Sequence, residues 1–160
     1  MTPHRFLAIV LAPLVAAATA WASATSPTLI VSAARAVAAD GRRSVTIEGT
    51  FDFENAVQVG YPLQLVVFQG TRFVRFPAVG VPQTGETSLL ADGRLDAAEL
   101  PALLAAGAPA GSDVRVVTLT ATSALVALPA GFTAGAATAQ VFTVLPEEPV
   151  LSNPLVLVLP

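Results

Sequence analysis

Three groups of side chains in this sequence have types and spacings that could do chemistry. Glu48, Asp52 and Glu54 fall on one side of an alternating segment whose other positions include Val45, Ile47, Phe51 and Phe53. Strand residues two apart share a face and lie about 7 Å from each other. At that separation one carboxyl can act as acid and another as base in a hydrolase. The same alternation also describes an ordinary solvated strand face, and no aromatic sugar platform surrounds it in sequence.

The second group is Asp92, Asp96 and Glu99. Asp92-Gly93, an acid three positions after the glycine and a closing glutamate match the later half of a calcium-binding loop. Calcium is the one cofactor this pattern allows. Ser88 and Leu90 stand where the first two acids of such a loop belong, and a leucine cannot ligate. Asp96 and Glu99 also have the spacing of a capping box, with Leu95 and Leu100 placed as its hydrophobic staple. The third group, Arg72, Phe73 and Arg75, combines residue types favoured at interface centres. Parity puts the two arginines on opposite strand faces, so at least one points outward unless its stem runs along apolar surface.

Composition removes most other chemistry. The 160 residues include no Cys and one His, and all eight basic residues are Arg. The only histidine, His4, lies in a stretch with the features of a secretory signal: a short positive start, an apolar run from Phe6 to Ala18 and small residues after it. A-x-A patterns end at Ala20, Ala22 and Ala24, and cleavage after Ala24 leaves a chain that starts at Thr25. The alternative is a retained anchor over Phe6 to Ala24, close to the roughly 20 residues needed to span a bilayer. No second spanning segment exists.

Without residues 1–24 the chain has no His, no Cys and no Lys. That excludes His-based nucleophilic triads, thiolate or imidazole metal sites and Schiff-base chemistry. No glycine-rich phosphate-binding motif occurs either. Losing Arg5 leaves seven arginines against 11 acids, a net charge of −4, which argues against nucleic acid as a partner. A protein or a glycan remains. With no disulfide framework, stability must come from the apolar core.

Periodicity supplies the elements that would position these groups. Ser44 to Phe53 reads as a half-buried strand, and Leu63–Phe68 and Thr71–Phe76 as a hairpin turning at Gln69-Gly70. Further strands are predicted at Thr28–Ala33, Val114–Ala121, Ala124–Leu128, Thr138–Leu145 and Leu155–Leu159. The last, Leu-Val-Leu-Val-Leu, has no polar alternation and reads as covered on both faces or as an edge awaiting a partner. Residues 77–112 are broken by Pro77, Pro82, Pro101 and Pro109 and read as an inserted loop. Within it a single turn at 96–100 leads to a short helix over 101–106, with Pro101 first and Gly107 as C-cap.

SVTIEGTFDF at 44–53 is similar to the second strand of TIG-type immunoglobulin-like domains. LPAGF at 128–132, AGAATAQVF at 134–142 and LSNPLVLVLP at 151–160 resemble the closing strands of bacterial immunoglobulin-like modules. The resemblance covers about half of residues 25–160. It implies an all-β, antiparallel immunoglobulin-like sandwich of about seven to nine strands, with a corner at Pro129–Gly135 and one short helix in the inserted loop. The buried Cys pair, the core Trp and the corner Tyr of antibody domains are missing. Such modules bind, space or assemble. The resulting expectation is one domain over 25–160, exported to the periplasm or beyond, that is a non-catalytic binding or structural module. A calcium-dependent carbohydrate or surface-ligand binder using 92–99 and a carboxylate hydrolase stand as the alternatives.

Overall fold

The computed structural model describes residues 29–39, 42–51, 63–77, 79–119, 123–144 and 149–160. The strands are β1 (Leu29–Ala39), β2 (Arg42–Phe51), β3 (Gln64–Gln69), β4 (Arg72–Pro77), β5 (Gln83–Glu86), β6 (Ala108–Pro109), β7 (Arg115–Leu119), β8 (Ser123–Ala127), β9 (Gly135–Thr143), β10 (Val150–Leu151) and β11 (Leu155–Leu159). One helix, α1, spans Leu100–Ala106 and follows a 3₁₀ turn at Ser88–Leu90. The fold is thus mostly β, and every strand pairing is antiparallel.

The strands form a four-stranded sheet, ordered β1-β2-β8-β7, and a seven-stranded sheet, ordered β10-β9-β3-β4-β5-β6 with β11 also on β9. Their inner faces share one core. Val45, Ile47, Ala124 and Val126 come from the first sheet, and Leu65, Val67, Val74, Phe76, Val141 and Leu157 from the second. Each takes every second position of its strand, which is the alternation seen in the sequence.

A second core lies on the other side of the larger sheet. Val66, Phe68, Phe73 and Phe142 point outward there and are buried under Leu90, Leu95, Leu100 and Leu103. This explains why β3 and β4 are apolar at nearly every position: strands covered on both faces lose the polar half of the alternation. Burying each such side chain stabilises by roughly 1.5–3 kcal/mol. Residues 77–112 are therefore more than an inserted loop. Their first part adds β5 to the sheet, where its Gly85 faces Phe73, and their middle forms a cap over the outer face.

The local expectations for the cap hold. Helix α1 starts with Pro101 in its first turn and ends at Gly107, and the Asp96 backbone N–H donates to Glu99 Oε2 at 3.0 Å, one half of a capping box. Leu95 and Leu100 both enter the outer core. The β3–β4 hairpin closes with Gln69 opposite Arg72, so its turn residues are Gly70-Thr71, and Gly70 takes a φ of 61°. In β11 the leucines 157 and 159 are buried, whereas Val156 and Val158 are exposed. The strand is neither covered on both faces nor polar on its open one.

Most strand edges are guarded. Both edge strands of the smaller sheet carry register shifts, at Val31/Ala33 in β1 and Val116/Thr118 in β7. In the larger sheet β6 and β10 are two residues long, whereas β11, paired only with β9 among the described residues, runs for five. Bulges and short edges deter edge-to-edge pairing with other chains.

Candidate functional site

A concavity lies where the β4–β5 end of the larger sheet meets the corner between β8 and β9. It is a cleft of about 280 Å³ lined by Arg72, Phe73, Thr84, Gly85, Glu86, Pro129, Gly131 and Phe132. Arg72 stands opposite Glu86 in the β4–β5 ladder, and their side chains pair at 3.3 Å with both largely exposed. The other arm of the guanidinium donates to the Gly131 carbonyl. An exposed pair of this kind stabilises by ~0–1 kcal/mol. Its two charges leave a polar rim on which a small ligand could find both a donor and an acceptor. Phe132 and Phe73 are fully buried, so the cleft offers no aromatic face for stacking a sugar ring.

The corner itself is clamped from three strands. Arg43 donates to the Phe132 carbonyl at 2.9 Å and to Pro160 O at 2.7 Å, tying β2 to the corner and the end of β11. Gln69 accepts from the Thr133 backbone N–H at 3.0 Å and donates to Thr133 O at 3.1 Å. These contacts hold the cleft's far wall in place. Only pairing across the sequence creates them, so neither Arg43 nor Gln69 carries a local signal of this role.

The sequence-predicted residues fall in different places. Arg72 and Phe73 both line the cleft, but only Arg72 is accessible, because Phe73 belongs to the outer core. Arg75 lies on the opposite face from Arg72, as parity requires, with Nη1 donating to Gln64 Oε1 at 2.7 Å. Partial burial pushes its guanidinium pKa down from its usual value, and its buried Nε has no hydrogen-bond partner. The three residues do not form one patch.

Asp92 and Asp96 are exposed in the cap loop and Glu99 is half-buried there, but their carboxylates have structural work. The Asp92 carboxylate accepts from the Arg94 backbone N–H at 3.1 Å. The Arg94 guanidinium then lies between Asp92, at 3.4 Å, and Asp96, at 3.0 Å. Glu99 turns back to cap the Asp96 N–H. A cation would have to displace Arg94 to use this set. Among the described residues, no three His, Asp or Glu side chains are grouped so as to hold a metal ion. Glu48 is exposed on β2, while Asp52 and Glu54 lie outside the described residues.

One polar residue that sequence reasoning passed over has a central part. Gln140, in an otherwise apolar stretch of β9, is 2% exposed. Its Oε1 accepts from the Leu95 N–H at 2.6 Å, and its Nε2 donates to Leu95 O at 3.1 Å and Ser152 O at 3.2 Å. A buried amide so engaged pins the cap loop to the sheet. The available signal was a lone glutamine among core residues, which a buried position tolerates only with partners.

Comparison of the chain with family models, curated proteins and solved structures finds no match. Among the described residues no helix is long and apolar enough to cross a membrane.

Proposed function

We propose that the chain is an exported, non-catalytic binding or structural module of the cell envelope or extracellular space, built as an immunoglobulin-like sandwich. The strand order carries this reading. Lettered along the chain, β1-β2-β8-β7 takes the order A-B-E-D, and β11-β9-β3-β4-β5 takes the order G-F-C-C′-C″. With the two-residue β6 and β10 left unlettered, this order matches that of a variable-type immunoglobulin domain and supports the reading. The cap between β5 and β6 is an addition to that plan, and it closes the outer face of the larger sheet. The signal-like residues 1–24 and the lack of His, Cys and Lys after them support export and a role without nucleophilic catalysis.

The test is to fractionate cells of the native host, cross-link them and determine the mass and N-terminus of the captured chain. The expected result is a chain beginning at Thr25, outside the cytoplasm and joined to a stoichiometric neighbour. A full-length chain confined to the cytoplasm overturns the proposal.

A further inference from the structure

The smaller sheet is the more basic of the two, since the strands of the larger carry Arg72 and Arg75 against Glu86, a balance of +1. The four strands of the smaller sheet carry Arg35, Arg42, Arg43 and Arg115 against the single acid Glu48, a balance of +3. The whole chain has eight arginines and 11 acids, so everything outside that sheet carries four arginines and ten acids, a balance of −6. An acidic chain thus carries its largest basic excess on the smaller sheet.

The outer face of that sheet is open. The larger sheet has its outer side closed by the cap, whereas Arg42, Arg115, Val37 and Val117 on the smaller sheet are all exposed. The register puts Arg115, Ala127, Ser44 and Val37 in one row across β7, β8, β2 and β1, and Arg42 is two positions from Ser44 on the same side of β2. Arg43, of opposite parity, is committed to the corner. Among the described residues Arg42 and Arg115 have no ion-pair partner. Arginine with an apolar surround is the composition of interface centres, and its planar fork pairs with carboxylates in two-pronged fashion.

We propose that this open face docks an acidic segment of a partner protein, its carboxylates on Arg42 and Arg115 and its apolar side chains on Val37 and Val117. The valines favour a polypeptide over an acidic polysaccharide, because they bury against side chains and offer nothing to sugar hydroxyls. The proposal rests on the reading of the chain as a binding module. Its test uses purified protein, so it can fail or succeed independently of where the chain resides.

Binding is measured by fluorescence anisotropy at low salt with a short labelled peptide alternating glutamate and leucine. The peptide's lysine–leucine counterpart and polygalacturonate serve as comparisons. Because the whole protein is negative, attraction by overall charge alone favours the lysine peptide. Expected are binding of the glutamate peptide that weakens as salt rises and a loss of about tenfold or more in the doubly substituted Arg42→Gln/Arg115→Gln protein. Arg94→Gln, in the cap, should leave that affinity unchanged. All these positions are exposed, and unchanged melting curves confirm that the variants fold. The proposal is overturned if the glutamate peptide does not bind, if polygalacturonate binds as tightly, or if Arg94→Gln weakens binding as much as the double substitution.

Discussion

Gln140→Leu separates the cap from the sheet it covers with little change in side-chain size. The substitution removes the acceptor of the Leu95 N–H and the donor to two carbonyls, Leu95 O and Ser152 O. A buried polar group left unpaired costs about 1–3 kcal/mol. Leucine recovers part of this through its greater apolarity, for a net loss of roughly 2–3 kcal/mol. For a chain of this size that lowers the melting temperature by roughly 4–12 °C. Circular dichroism melts and urea titrations measure the loss, and hydrogen exchange locates it: amides of residues 88–104 should exchange faster than those of β2 and β8. Gln140→Glu adds a check of sign. A carboxyl buried against two carbonyls has a pKa raised above its unfolded value of about 4.3, so the variant's deficit relative to the parent should grow as pH rises from that value. A Gln140→Leu protein within about 0.5 kcal/mol of the parent, or faster exchange spread evenly over both sheets, would refute the account.

Four further outcomes follow from particular contacts. A Cβ at Gly85 would lie 2.8 Å from the Phe73 ring and 2.9 Å from Ala106 O, so Gly85→Val should cost about 1–3 kcal/mol in urea unfolding. Gly135 takes a φ of +131°, and Gly135→Ala should lose about 1–3 kcal/mol although its Cβ would meet only Gln69 Nε2, at 3.7 Å. Arg43→Gln removes one bond from β2 to the corner and one to Pro160, and should cost on the order of 1–2 kcal/mol and raise hydrogen exchange at residues 129–135. With Arg94 already between Asp92 and Asp96, melting temperatures in calcium and in chelator should agree; a calcium-dependent rise abolished by Asp92→Ala would reinstate the metal reading.

Local chemistry was legible in the sequence. The hairpin around Gly70, the half-buried β2, the Pro101 helix start and the Asp96–Glu99 cap are all set by residues a few positions apart. The basic outer face was written in the sequence as well, yet invisible there, because Arg42 and Arg115 come onto one face only when β2 and β7 are assembled into one sheet. The same holds for the cleft, since Arg72 reaches a corner 59 positions away.

What the sequence determined by itself is therefore the β class and most of the longer strands, but not β5, β6, β10 or the second half of β1. Periods of two and the choice of residue types fix these things locally. The tertiary structure alone decided that residues 88–106 cover the outer face of the larger sheet. That pairing depends on Gln140 meeting Leu95 and on leucines of the cap meeting Phe68, Phe73 and Phe142. An apolar run shows only that a strand will be covered, and not by what. The covering segment is chosen by which apolar surfaces remain open once the two sheets have closed on their shared core.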